Sequence, residues 1–247
     1  MIDTHAHLQG LEGGADAAVL QARAAGLARI VCVGADVGAA REAIALAERH
    51  AGVFATVGLH PHSAAQWSDD VAAQLAELAA RPHVVAIGEC GLDYFRDHAP
   101  RDVQASAFAG QVALAERLGK PLVVHSREAA VDTLTVLREA RCAVVLHCFS
   151  LPDHLDEAVS RGWYCSFAGN VTYPKALDLQ EAARRVPDEL VLLETDCPYL
   201  TPVPHRGTPN RPERVLDTLA FVAELRGCAA AELGALVERN ADRVFGL

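Results

Sequence analysis

The chain has 247 residues, of which 51% are hydrophobic and 22% charged. That composition excludes a disordered chain, a collagen-like fibre and a small disulfide scaffold, and the length suits two average domains or one large α/β barrel. There are 22 Lys and Arg against 32 Asp and Glu, a net charge of −10, so a polyanionic partner must be held by a local positive feature and not by the surface at large. No apolar run approaches the roughly 20 residues needed to span a bilayer, so no membrane association is expected. Met1-Ile2-Asp3-Thr4-His5 lacks the basic and apolar stretches of a signal peptide. The seven cysteines stand at 32, 90, 142, 148, 165, 197 and 228 with no C-x-x-C pair, which suits thiols in a reducing cytoplasm.

Short β-rich apolar runs occur at 2–5, 30–33, 54–57, 84–87, 122–124, 144–146, 164–167 and 190–193. Between them, apolar residues recur at three- and four-residue spacing, as in Val71, Leu75 and Leu78, in Val131, Leu134 and Leu137, and in Leu216, Leu219 and Val222, the spacing of an amphipathic helix. Gly26, Gly52, Gly119 and Gly162 stand just ahead of the next strand, where glycine supplies a left-handed helix terminus. Strands alternating with helices imply parallel strands joined by right-handed crossovers. Eight such units in about 250 residues is the size of one TIM-type (β/α)₈ barrel, and we expect 1–247 to be a single domain. An open doubly wound sheet is the alternative, but the first strand is followed by no G-x-G-x-x-G or Walker motif.

Polar residues collect at the C-terminal strand ends, where barrel active sites are built. The first strand ends in Asp3-Thr4-His5-Ala6-His7, the third in Gly58-Leu59-His60-Pro61-His62 and the fourth in Gly88-Glu89-Cys90-Gly91-Leu92-Asp93. The fifth ends in His125-Ser126-Arg127, the sixth in His147-Cys148-Phe149-Ser150 and the eighth in Glu194-Thr195-Asp196-Cys197-Pro198. Seven of the eleven histidines, including His205, follow a strand end. His5 and His7, two apart on an extended strand, share a face. Imidazoles with the carboxylates of Glu89 and Asp196 suit zinc, manganese, iron or related ions. Four histidines and two carboxylates exceed one tetrahedral ion and match two ions sharing a carboxylate. Any one of these residues alone has an ordinary structural reading, such as a helix cap for Glu89 or a turn for Asp196. Cys148 and Cys197 are expected to be wall residues.

These landmarks resemble the TatD family of metal-dependent hydrolases and deoxyribonucleases, within the amidohydrolase-like barrels. D-T-H-A-H-L at 3–8, G-L-H-P-H at 58–62, G-E-C-G-L-D-Y at 88–94, H-S-R at 125–127, H-C-F-S at 147–150, S-F-A-G at 166–169, L-E-T-D-C-P at 193–198 and N-A-D-R-V-F at 240–245 carry the likeness nearly end to end. The resemblance implies one metal held by His5, His7 and Asp196, a second held by His125 and His147, and Glu89 bridging them. Two loops depart from the pattern: Leu151 stands where the family often has Gly, and 206–212 reads R-G-T-P-N-R-P. Both departures bear on substrate choice.

The expected activity is a metal-dependent deoxyribonuclease of the 3′-5′ exonuclease type. Two divalent ions (zinc, manganese or magnesium) would activate water against a phosphodiester of DNA, single-stranded or at a 3′ end. Asp196 is the candidate general base and Glu89 the other catalytic carboxylate. Asp3, on the strand face of the two histidines, is expected to fix a ligand tautomer from behind, and Asp93 and Glu194 to support the ligands likewise. His60, His62, Arg127 and Arg206 are candidate substrate contacts, Arg211 a steering charge, and Tyr94 or Phe149 a stacking surface for a base. An amidohydrolase or esterase using the same metals on a small molecule is the competing enzyme, and a binding module that has lost the chemistry is the non-enzymatic one. A monomer or weak oligomer in the cytoplasm is expected.

Overall fold

The computed structural model describes all 247 residues. Eight strands form one parallel sheet in sequence order: β1 (Ile2–Ala6), β2 (Arg29–Cys32), β3 (Val53–Val57), β4 (Val84–Asp93), β5 (Leu122–Arg127), β6 (Val144–Leu146), β7 (Tyr164–Phe167) and β8 (Val191–Leu193). Helices α1 (Ala15–Ala24), α2 (Val37–Arg49), α3 (Asp69–Ala79), α4 (Arg101–Leu118), α5 (Ala130–Leu137), α6 (Leu155–Ser160) and α7 (Leu177–Arg185) fill the seven crossovers, so the fold is the (β/α)₈ barrel. Two helices, α8 (Val215–Arg226) and α9 (Ala230–Phe245), follow β8. The sequence pattern points only to the first of these. The second lies against β8 and β1, burying Leu233, Val237 and Ala241.

The sheet closes at the seam between β8 and β1, and polar groups close it. The Asp196 amide donates to the His5 carbonyl (2.9 Å), and the His7 amide donates to the Cys197 carbonyl (2.9 Å). Below them the Thr4 hydroxyl donates to the Leu193 carbonyl (3.0 Å). The closing hydrogen bonds therefore belong to the same residues that carry candidate donors, which makes site geometry and barrel closure one constraint.

The helix stripes are placed as the spacing implies, with one exception. Leu75, Leu134, Leu137, Leu219 and Val222 are buried, whereas Val131 is exposed at the first turn of α5. All four glycines ahead of strands have positive φ. The main departure from the sequence pattern lies in β4. Read as ending at Ile87, it continues through Asp93, every residue buried. Its register with β5 shifts between Ile87 and Cys90, the signature of a bulge, which bends a strand and re-aims a side chain. Gly88 and Gly91 serve close strand approach. A Cβ at Gly91, where φ is +134°, would lie 2.0 Å from the His125 carbonyl oxygen. β5 likewise runs on to Arg127.

Gly91→Ala is therefore expected to push β4 away from β5 and lower the melting temperature by at least about 5 °C, from roughly 2–3 kcal/mol of overpacking and left-handed strain. A melting curve unchanged from wild type would contradict this account of the bulge.

Candidate metal centre

The alternation of β1 points His5 and His7 to one side, and the β4 bulge delivers Glu89 to meet them. His5 Nε2 lies 3.5 Å and His7 Nε2 3.4 Å from Glu89 Oε2. Asp196, in the turn after β8 with φ +53°, brings Oδ1 to 3.4 Å from His7 Nε2 and 3.8 Å from His5 Nε2. On the other side, His125 Nδ1 from β5 and His147 Nε2 just past β6 each stand 2.9 Å from Glu89 Oε1. The two oxygens of Glu89 thus face two different donor groups. His60 Nε2 also lies 3.5 Å from Glu89 Oε1. The triads of mutually close donor atoms are His5–His7–Asp196, His5–Glu89–His147 and His60–Glu89–His125. His60, expected from sequence to touch substrate, is thus drawn into the cluster itself.

The donors fit a cation. His5 Nε2 and Glu89 Oε2 are buried, face each other and have no hydrogen-bond partner in the protein. Leaving such atoms unpaired costs of the order of 1–3 kcal/mol each. Without an ion, protons supply the missing positive charge. Burial would lower the His7 imidazole, but the carboxylates of Asp196 and Glu89, each 3.4 Å from its Nε2, win and raise it to about 10. Burial works the same way on His147, and the charges of Glu89 and Glu194 again prevail, holding it well above the ordinary imidazole value. Glu89 is pushed up by burial but held well below its ordinary value by His147 and its other imidazole neighbours. His5 is the exception: burial, with His147 nearby, lowers it.

Three further carboxylates hold this arrangement from behind. Glu194 Oε1 faces His147 Nδ1 at 3.0 Å and accepts the Cys148 amide at 2.8 Å, leaving His147 Nε2 turned towards Glu89. Asp93 Oδ2 stands 3.3 Å from His125 Nε2 and 3.0 Å from His62 Nε2, and its Oδ1 accepts the Phe95 and Arg96 amides. Burial would raise Asp93, but the hydrogen bonds from His125 and the loop keep it well below the ordinary carboxylate range. Asp3 behaves differently from the sequence expectation. It accepts the His5 backbone amide, the Thr195 amide and the Thr195 hydroxyl, so it ties β1 to the Asp196 loop and does not touch a ligand ring. Burial pushes its carboxyl up to about 8.

The remaining candidates are spread around the mouth. Arg127 lies with its guanidinium 3.8 Å over the Phe95 ring, and Arg206 lies 3.8 Å over Tyr173. Arg211 is turned away and donates to Gln21 on α1, and His205 pairs with Asp217 on α8. Tyr94 donates its hydroxyl to Asp132 (2.7 Å) and has Arg101 over its ring at 4.2 Å. It borders a recess of about 470 Å³ that Leu151 also lines. Phe149 is buried against Phe167 and offers no stacking surface, because the barrel wall takes both rings. Cys197 is buried, and Cys148 accepts only a long contact from Asn170. Two exposed aromatics at the mouth escape the sequence reading: Phe95, 51% exposed, and Tyr199, 61% exposed with its ring edge-on to His7 at 6.1 Å. Their signal was position alone, each following a carboxylate-bearing strand end. A cavity of about 520 Å³ around Lys120, Arg141 and Cys142 lies where β5 and β6 begin, at the far end of the barrel from this chemistry.

A family model for TatD-related DNases matches residues 2–246. An uncharacterised metal-dependent hydrolase of Mycobacterium tuberculosis named TatD is 40% identical over 260 residues, covering 100% of this chain and 98% of its own length. A Musicola paradisiaca protein named 3′-5′ ssDNA/RNA exonuclease TatD is 38% identical over 246 residues, covering 96% of this chain and 93% of its own. Among solved structures, YJJV, a TatD homolog from Escherichia coli K12, matches with a TM-score of 0.93 at 30% identity, over 100% of this chain and 98% of that one.

Because His7 is protonated at neutral pH when no ion is bound, a metal must displace its proton. Calorimetric titration with zinc or manganese in two buffers of different ionisation enthalpy should show at least one proton released, and apparent affinity should rise about tenfold per pH unit per proton. Binding without proton release would contradict it. Glu194→Ala should weaken metal affinity roughly 10–100-fold without unfolding the chain, measured in the same titration.

Proposed function

Since the chain belongs to the family of TatD-related DNases, a family of metal-dependent hydrolases, we propose that it is a 3′-5′ exonuclease acting on single-stranded nucleic acid with two divalent ions. The observation that carries this reading is the division of Glu89 between two donor groups, with Oε2 facing His5, His7 and Asp196, and Oε1 facing His125 and His147. The mixed imidazole–carboxylate set suits zinc or manganese by affinity, and magnesium by the habits of phosphoryl chemistry. When bound, the ions supply Lewis acidity to a phosphodiester and lower the pKa of water.

Residues of the chain do the rest. Asp196 is ionised: burial would raise it, but its hydrogen bond with His7 and the charge of His147 lower it. With 12% of its side chain exposed it is more open than Glu89, which is 3% exposed, and it accepts a proton from the attacking water. His60 and His62 flank Glu89 and Asp93 and orient the phosphate. Glu194 and Asp93 fix the rings of His147 and His125 by their contacts to the far nitrogens. Two divalent ions outweigh the two carboxylates that face them, which gives a protein of net charge −10 the local positive feature that a polyanion requires.

The test is incubation with 5′-labelled single-stranded DNA and magnesium or manganese, with and without chelator. Stepwise shortening from the 3′ end that chelation abolishes is expected. Glu89→Ala and His147→Ala should each lose bound metal and at least about a thousandfold in rate, the scale of several kcal/mol of Lewis-acid stabilisation. Full activity in either variant, or turnover after exhaustive chelation, would overturn the scheme. Turnover of amide or carboxylic ester substrates with no cleavage of DNA would favour the amidohydrolase reading instead.

A further inference from the structure

Five arginines lie over aromatic rings in this structure, and two of them differ from the rest. Arg127 over Phe95 and Arg206 over Tyr173 are the closest, both at 3.8 Å. Of the others, Arg101 over Tyr94 and Arg161 over Trp163 are each engaged with a carboxylate, Asp97 and Glu157, and Arg96 stands 5.7 Å from Phe95. The guanidiniums of Arg127 and Arg206 are exposed and have neither a carboxylate nor a hydrogen-bond partner. In a chain with ten more acidic than basic residues, an arginine without a partner is held by its ring and keeps its N–H edges free. Stacking fixes the plane of the fork and so reduces the entropy lost on gripping a phosphate.

The topology places the two pairs in separate sectors of the barrel mouth. Arg127 ends β5, and Phe95 follows β4. Tyr173 follows β7, and Arg206 follows β8. In a ring of eight strands in sequence order, the β4–β5 sector and the β7–β8 sector are separated by β6 on one side and by β1, β2 and β3 on the other. The Glu89 cluster lies between them. Each rim also carries an exposed aromatic surface, Phe95 on the first and Tyr199 on the second, the latter against the His7 ring. Tyr94, the aromatic suggested by sequence, is half-buried with its hydroxyl tied to Asp132, whereas Phe95, with Arg127 on one face, keeps half of its surface exposed.

Resting on the nuclease reading above, we propose that an unpaired strand crosses the barrel mouth between these rims. Arg127 grips the phosphate on the 5′ side of the one being cut, Arg206 reaches the phosphate being cut from the terminal side, Tyr199 stacks the 3′-terminal base beside His7, and Phe95 stacks a base further along the strand. Aromatic faces accept any base but only when it is unpaired, so the same feature selects single strands over duplex.

The test measures affinity against salt. The probe is a fluorescent oligothymidylate of about ten nucleotides with phosphorothioate linkages, bound to the metal-loaded enzyme between roughly 50 and 200 mM KCl. Each phosphate contact on a single strand contributes about 0.7 to the slope of log affinity against log salt. Arg127→Ala and Arg206→Ala should each reduce the slope by about 0.7 and the double variant by about 1.4, whereas Arg239→Ala, which removes an exposed charge on α9, should leave it unchanged. Tyr199→Ala should weaken binding roughly five- to hundredfold at an unaltered slope, whereas Phe95→Ala, which also frees Arg127, should weaken binding and lower the slope by up to about 0.7. Equal slope changes in all three arginine variants would reduce the effect to net charge and overturn the proposal. So would unchanged slopes at positions 127 and 206 in an enzyme that still binds and shortens DNA, in which case the nuclease reading survives. Wild-type protein that neither binds nor cuts the strand with any of the three metals would overturn both.

Discussion

One buried carboxylate organises the molecule's polar interior. Glu89 is 3.5 Å or less from five imidazoles, those of His5, His7, His60, His125 and His147. A charge buried this deeply is costly unless it is paired. The protein offsets the cost by gathering imidazoles from four strand ends around two oxygens, and by leaving buried nitrogen and oxygen atoms that only a cation or a proton can satisfy. Protons do this in the metal-free chain, on His7 and His147. Metal binding is then an exchange of positive charge at fixed geometry, with little need for the frame to move.

That frame depends on the same atoms. The seam between β8 and β1 closes through the backbones of His5, His7, Asp196 and Cys197, and Asp3 clamps it through Thr195. β4 and β5 approach so closely that no side chain fits at Gly91. Barrel closure and the β4 bulge therefore fix the two ends of the donor set, and damage to either should appear as lost metal before it appears as lost fold.

Much of this is legible in the chain before any coordinates. The strand positions follow from alternating apolar runs, and the six donors stand out because polar residues at five strand ends have no common structural explanation. What stays hidden has physical causes. The apolar run stops at Ile87, and the glycines and polar residues that follow do not continue its pattern, so β4 looks shorter by six residues than it is. The helix Ala230–Phe245 follows no strand and so falls outside the strand–helix repeat. His60 is one of two histidines in Gly58-Leu59-His60-Pro61-His62, and nothing in the spacing says that it is the one that meets Glu89. Asp3 shares a strand face with His5 and His7, yet its partner is Thr195, 192 residues away. The exposure of Phe95 and Tyr199, and the burial of Phe149, are properties of packing that no aromatic's own neighbourhood in sequence reveals.

The central claim is that Glu89 lies between two cations, and anomalous diffraction from a crystal soaked in manganese or zinc addresses it directly. The account predicts two peaks, one on the Oε2 side among His5, His7 and Asp196, and the other on the Oε1 side with His125 and His147. A single peak, or two peaks neither of which contacts Glu89, would contradict it.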